Sequence, residues 1–305
     1  LEMAQNNNAI GFASFVDKST KATDTDINNL GSIEVYGWRG DTKIFDAQQV
    51  TVNTSGEGTY TPQQYWEPSY TYAFEAIAPK DGEKGVSFAE NKNGGTITFT
   101  SNSETDLLYA GVVTKTTGTT ITANPGTVAF TFNHLLSRVK FTFKNTFPST
   151  AAAKISVTNV SIENAYQSGS ITPAASNAAW DVSGDNNNNL KVSFASTSVV
   201  DLVAGTGVAS TDHMYLIPAS YPSYTVKFTV TLDQNGATSD YEHTATITTG
   251  MKMGKSYNFV ASLNQNNVTP NPLFPIEFSA TVTGWEDFSN TDITSTPSTG
   301  NSASE

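Results

Sequence analysis

The sequence contains no cysteine, so disulfides, thiolate nucleophiles and thiolate metal sites are excluded together. Arginine is nearly as scarce, with only Arg39 and Arg138, and 16 Lys+Arg against 28 Asp+Glu leave a net charge of −12. No basic stripe exists to neutralise phosphates, which argues against nucleic acid as a partner. An acidic surface is repelled by anionic lipid, and no apolar run approaches the roughly 18 residues that span a bilayer. Charged residues make up 14% and hydrophobic ones 37%, so the remaining polarity comes from Ser, Thr, Asn, Gln and Gly. That composition suits an exported all-β chain and disfavours a helical bundle. The first residues, Leu1-Glu2-Met3-Ala4-Gln5, have neither the basic nor the apolar region of a signal peptide. A leader is therefore expected upstream of Leu1 or already removed. If the precursor is a lipoprotein, its cysteine is expected upstream as well.

What the sequence does have is period-two alternation. Ser32 to Trp38, Tyr70 to Ala76, Thr96 to Thr100, Val128 to Phe132, Arg138 to Lys144, Lys154 to Ile162, Leu190 to Phe194 and Tyr224 to Leu232 each set apolar residues against Thr, Ser or small ones. These read as half-buried strands. Thr244 to Thr248, Tyr257 to Leu263 and Ile276 to Val282 are further candidates. Asp81-Gly82, Asn93-Gly94-Gly95 and Asn235-Gly236 supply turn residues that tolerate positive φ. Asn235-Gly236 is expected to join Val226–Leu232 to Tyr241–Ile247 through a loop longer than two residues. A chain of 305 residues is about twice the common domain size of roughly 150, so two domains are expected. The stretch Thr114 to Gly126 has little that anchors a core and marks the boundary. The domains are expected at 1–122 and 123–288, with a disordered Ser/Thr/Asn tail at 289–305.

Candidate chemistry is thin. His134, His213 and His243 have no companion at metal-ligand spacing, and each is read as structural. A triad around His213 lacks a nucleophile elbow. Asp24, Asp26 and Asn28, and Asp181 with Asp185, offer oxygen ligands but do not match a calcium loop, and they read as polar loops. No cofactor is expected, and an enzyme is not. Trp38, Tyr60, Tyr65, Trp66, Tyr70 and Tyr72 form a dense aromatic set that would serve a glycan-binding surface lipoprotein if exposed. Core packing is the favoured reading.

The order of short motifs says more than any one of them. Ile10 to Phe15 is followed by Ile33-Glu-Val-Tyr-Gly-Trp38, Tyr72-Ala-Phe74 to Pro79, and Asp106-Leu107-Leu108-Tyr109-Ala110. Then come Phe130-Thr-Phe132-Asn-His134-Leu-Leu-Ser-Arg138-Val139, Tyr215-Leu-Ile-Pro218, Met253-Gly-Lys-Ser-Tyr257 and Val282-Thr-Gly-Trp285. From about residue 10 to 286 this series resembles the fimbrillin-like proteins of Bacteroides and relatives, which include the FimA-type and Mfa-type pilins.

The resemblance implies two tandem transthyretin-like β-sandwich domains, a lipid-anchored precursor as the only membrane contact, and an outer-membrane, cell-surface location. It implies a structural subunit of a pilus that also supports adhesion to host or bacterial surfaces. It further implies that a protease removes the first strand, placed at 9–17, after Lys21 and before Ala22, where the family has arginine. The strand's apolar residues Ile10, Phe12 and Phe15 would leave a groove, and a strand from another pilin subunit would fill it. The alternating residues Ile276, Phe278, Ala280 and Val282 are the expected donor.

Overall fold

The computed structural model describes residues 8–16, 25–26, 28–120, 125–184, 190–195, 201–219, 223–269 and 275–285. Among these the chain is all-β, with one 3₁₀ turn at Ser149–Ala151 and no α-helix. The strands are β1 (Phe12–Val16), β2 (Ser32–Arg39), β3 (Thr42–Val52), β4 (Glu57–Thr59) and β5 (Thr71–Ala78). They continue as β6 (Val86–Ala89), β7 (Thr96–Thr100), β8 (Leu108–Thr116), β9 (Val128–His134) and β10 (Ser137–Asn145). Next are β11 (Ala153–Ala165), β12 (Ser168–Ile171), β13 (Leu190–Ser193), β14 (Leu202–Val203) and β15 (Val208–Ser210). The last five are β16 (Met214–Leu216), β17 (Tyr224–Gln234), β18 (Ala237–Ile247), β19 (Lys255–Leu263) and β20 (Ser279–Gly284).

Two compact units are formed, one of Leu1–Leu136 with Ser168–Gly184, the other of Ser137–Gln167 with Asp185–Glu305. The division falls between Leu136 and Ser137, not at the expected 122/123. The reason is pairing: β8 runs through the Thr-rich stretch to Thr116, and β9 bonds to β8 and to β1. A cut at 122 would strip β9 from both neighbours.

In the first unit, hydrogen bonding runs unbroken round the seven strands β1-β4-β3-β2-β5-β8-β9. Strand β9 alternates strictly, with Val128, Phe130 and Phe132 buried and Ala129, Thr131 and Asn133 exposed. Closure brings these inward residues onto Phe12, Val35, Phe45, Val50, Tyr72 and Phe74 in one core. The β6–β7 hairpin extends through β12 into a separate three-stranded sheet. On that sheet's side, Glu75 of β5 is fully buried and accepts bonds from Asn91 N, Gly95 N and the Tyr109 hydroxyl, at 2.8–2.9 Å. Burial pushes its carboxyl above the ordinary value, against those bonds.

The second unit has two sheets sharing one core. One is β15-β10-β19-β20 with β16 beside β10, and the other is β13-β11-β17-β18 with β14 beside β11. Phe141, Phe143 and Phe259 from the first sheet meet Val157, Ile162, Val226 and Phe228 from the second, as alternation on facing strands requires. The β17–β18 hairpin is tighter than its sequence suggests. Gln234 pairs with Ala237, leaving a two-residue loop in which Asn235 and Gly236 both have positive φ, 54° and 80°. Such a turn matches the twist of the strands it joins.

Candidate strand-exchange groove

Strand β1 completes the ring of the first unit. All five of its residues pair parallel with β9, from Phe12↔Val128 to Val16↔Phe132, whereas only Phe12 and Ala13 pair with β4. Just before the strand, Ile10 N donates to Gln64 O, and Ile10 O accepts from Tyr60 Oη at 2.7 Å. Burial pushes the Tyr60 phenol up to about 12. Removing β1 would therefore leave the edges of β9 and β4 bare beside an apolar trough.

The inward side chains are Ile10, Phe12, Ser14 and Val16, all buried. Phe12 is the anchor. Its ring lies 5.2 Å from Phe45, 5.3 Å from Tyr60, 5.7 Å from Phe130 and 5.9 Å from Phe74. Its strand partner Gly58 leaves room for it: a Cβ there would meet Val50 Cγ1 at 2.6 Å and Phe12 Cβ at 3.2 Å. Phe15, expected to seat in the groove, is corrected to the outer face at 54% exposure, because the phase set by Ile10, Phe12 and Val16 turns it outward. Ser14 occupies an inward position instead, and its hydroxyl is buried with no hydrogen-bond partner among the described residues. Neither Ser14 nor Gly58 stood out in the sequence, though the period-two pattern continued to Val16 would have found the former. Lys21 and Ala22 lie outside the described residues.

The expected donor segment is in the second unit. Ile276 is buried, and Phe278 packs on Phe141, Phe143 and Phe228 at 5.3–5.8 Å. Ala280 and Val282 are exposed, the latter at 49%. Among the described residues strand β20 pairs with β19 alone, at the edge of its sheet. Beyond it, Trp285 is buried. Its carbonyl accepts from the Arg138 guanidinium, and its ring stacks on Tyr215 at 5.6 Å.

The other candidates stay within the packing. His134 Nδ1 is 3.0 Å from Asp106 Oδ2 with both side chains buried, and His213 Nε2 is 3.4 Å from Tyr215 Oη. Burial holds the His243 imidazole below its ordinary value beside the Phe228 ring. Asp26 caps a turn by accepting from Asn28 N and Nδ2, and Asp181 accepts from Ser183 N; Asp24 and Asp185 lie outside the described residues. Among the described residues no group of three His, Asp or Glu is placed to hold a metal ion. Trp38, Trp66 and Tyr72 are buried and Tyr60 half-buried, so of the aromatic set only Tyr65 and Tyr70 are exposed. That does not make a platform.

The profile of the fimbrillin-like family matches residues 20–285, most of the sequence. The chain belongs to the fimbrillin-like family. Membership makes it a structural protein rather than an enzyme. The fold is also that of a fimbrial protein from Bacteroides vulgatus, with a TM-score of 0.66 over 91% of this chain and 100% of that one at 16% identity. A proposed cell adhesion protein from Parabacteroides distasonis gives 0.54 over 93% and 99% at 9% identity. One from Bacteroides ovatus gives 0.51 over 92% and 99% at 14%. No curated protein sequence matches significantly. The family match begins at residue 20, after β1.

Proposed function

We propose that this fimbrillin-like chain is a structural subunit of a cell-surface fimbria that polymerises by strand exchange. A lipid-anchored precursor delivers it to the outer membrane, each unit serving as a transthyretin-like sandwich. Cleavage between Lys21 and Ala22 separates β1 from β2, β1 leaves, and a strand of the next subunit fills the groove. Adhesion to host or bacterial surfaces is then a property of the assembled fibre. The observation that carries this reading is the position of β1. It is the first strand of the described residues, and its departure opens an apolar groove with two strand edges, β9 and β4, ready to pair. The connection to β2 is polar and carries Lys18 and Lys21, which suits a trypsin-like protease. Limited digestion with such an enzyme, followed by electron microscopy, tests the proposal. Fibres or oligomers should form only after the cut. A cleaved chain that stays monomeric, retaining its N-terminal fragment under all assembly conditions, counts against it.

A further inference from the structure

Strands β2 and β3 of the first unit are joined by a two-residue hairpin loop. Arg39 pairs with Thr42, so Gly40 and Asp41 alone make the loop, and Gly40 takes its first position with φ 59°. Glycine at the first of two loop positions is what a type II′ turn requires. The tip therefore reads Arg39-Gly40-Asp41, a guanidinium and a carboxylate on either side of a residue with no side chain. The sheet holds it in place: Gly40 N donates to Thr71 O of the neighbouring strand β5 at 2.8 Å.

Both charges stand at the surface. The Asp41 side chain is 92% exposed and pairs with Lys92, which lies between β6 and β7 and is itself 44% exposed. Arg39 pairs with Glu67, whose side chain is 49% exposed, and its guanidinium carbon lies 5.2 Å from the ring centroid of the exposed Tyr70. Ion pairs this open contribute little and exchange readily for a better partner, whereas the ring face keeps the arginine aimed. The chain has one other arginine, Arg138, and that one is buried in the second unit. Arg39 is thus the one exposed guanidinium of the sequence, and its planar fork can bind a carboxylate through two parallel bonds as no lysine can.

What fits such a tip follows from its two groups. A lone carboxylate on a fixed turn is a hard oxygen donor for a divalent cation with an open coordination position. A guanidinium fork takes an acidic pocket. A receptor carrying both features side by side engages the two side chains at once, and Gly40 lets its wall come close. That is the chemistry of the integrin class of cell-surface receptors. A turn already fixed by the sheet loses little freedom on binding.

We infer that Arg39-Gly40-Asp41 is an adhesion site for a receptor of this class, with Asp41 completing the coordination of the receptor's divalent cation and Arg39 entering its acidic pocket. Lys92 and Glu67 are the resting partners that the receptor's cation and pocket replace. This gives the adhesion proposed above a site and a partner, and it rests on that reading for display of the chain at the cell surface.

The test passes the purified, uncleaved full chain over the immobilised ectodomain of an integrin that binds Arg-Gly-Asp peptides, with Mn²⁺ present. Binding should occur and should vanish in EDTA. Asp41→Glu keeps the charge but moves it outward by one methylene, and should weaken binding by about thirtyfold or more, as loss of a central contact does, with circular dichroism and Tm unchanged. Lys92→Ala frees the carboxylate and should tighten binding by up to about fivefold, the size of an exposed ion pair. Equal binding by the parent and Asp41→Glu, binding that survives EDTA, or no binding by the parent overturns the proposal. The chain is uncleaved throughout, so none of these outcomes bears on strand exchange. A chain that binds in this assay, yet is not labelled by its antibody on intact bacteria, overturns the surface reading instead.

Discussion

Arg138 sits over Trp285, its guanidinium carbon 5.1 Å from the indole centroid, while it donates to the Trp285 carbonyl and, through Nε at 2.9 Å, to Ser256 Oγ. The arginine is 1% exposed, so these bonds and the ring face replace water around its charge. One of two arginines in the chain thereby ties down the end of β20 across 147 residues of sequence. Arg138→Ala should cost about 3–5 kcal/mol, as loss of a buried, hydrogen-bonded charge does. Hydrogen exchange should accelerate at the β19–β20 ladder first. Arg138→Lys should recover only part, because a lysine cannot hold the planar contact with the ring.

Glu75 is fully buried and accepts from two backbone N–H groups and the Tyr109 hydroxyl. Glu75→Ala strands those donors and should destabilise the first unit by about 2–4 kcal/mol. The pH dependence has the opposite sign to a surface carboxylate. Burial raises the folded value above the unfolded one, so the folded state holds its proton more tightly. The contribution is complete below the ordinary carboxylate value and is lost as pH rises through the raised one. Denaturant titrations at several pH values should show this slope in the parent and a flatter one in Glu75→Gln.

Burial also raises the phenols of Tyr36, Tyr60, Tyr72, Tyr109 and Tyr257. Stability should hold up to about pH 10, the ordinary tyrosine value, and fall as pH climbs beyond it, because these five phenols ionise there only in the unfolded chain. The share of the phenolate absorbance that these five tyrosines contribute should therefore rise together with loss of β-sheet circular dichroism, rather than before it.

Gly58 lets Phe12 approach, and a methyl group there collides with Val50 and crowds Phe12. Gly58→Ala should cost about 1–3 kcal/mol by overpacking. Its effect should concentrate on β1, read as faster proteolysis at Lys18 and Lys21. Phe12→Ala, which empties the centre of the aromatic cluster, should cost about 3–5 kcal/mol with the same proteolytic signature.

Local pattern made much of this fold legible. The alternation of Val128, Phe130 and Phe132 marked β9, and Asn235-Gly236 marked a hairpin, because side-chain phase and turn chemistry are properties of a few neighbouring residues. What escaped were relations set by the closed sheet. Thr114 to Gly126 looks like a linker by composition, yet β8 continues to Thr116 on backbone pairing that needs no apolar side chain. Phe15 reads as core by its type and is exposed by its phase. Ser14 reads as surface by type and is buried by the same phase. No spacing rule joins Arg138 to Trp285, since their meeting depends on β10, β19 and β20 lying side by side.

The most direct test of strand exchange exploits the absence of cysteine. In β1, Phe15 lies opposite Thr131 of β9, and when the expected donor segment of a second copy replaces β1 with Phe278 in the place of Phe12, Thr281 takes the place of Phe15. A chain carrying Thr131→Cys and Thr281→Cys has no other thiols, and both sites are on outward faces of their strands. After cleavage between β1 and β2 and mild oxidation, a non-reducing gel should show a ladder of covalently linked subunits that collapses on reduction and is absent from uncleaved protein. Fibres that form without the ladder, or a ladder that forms without cleavage, would contradict the account.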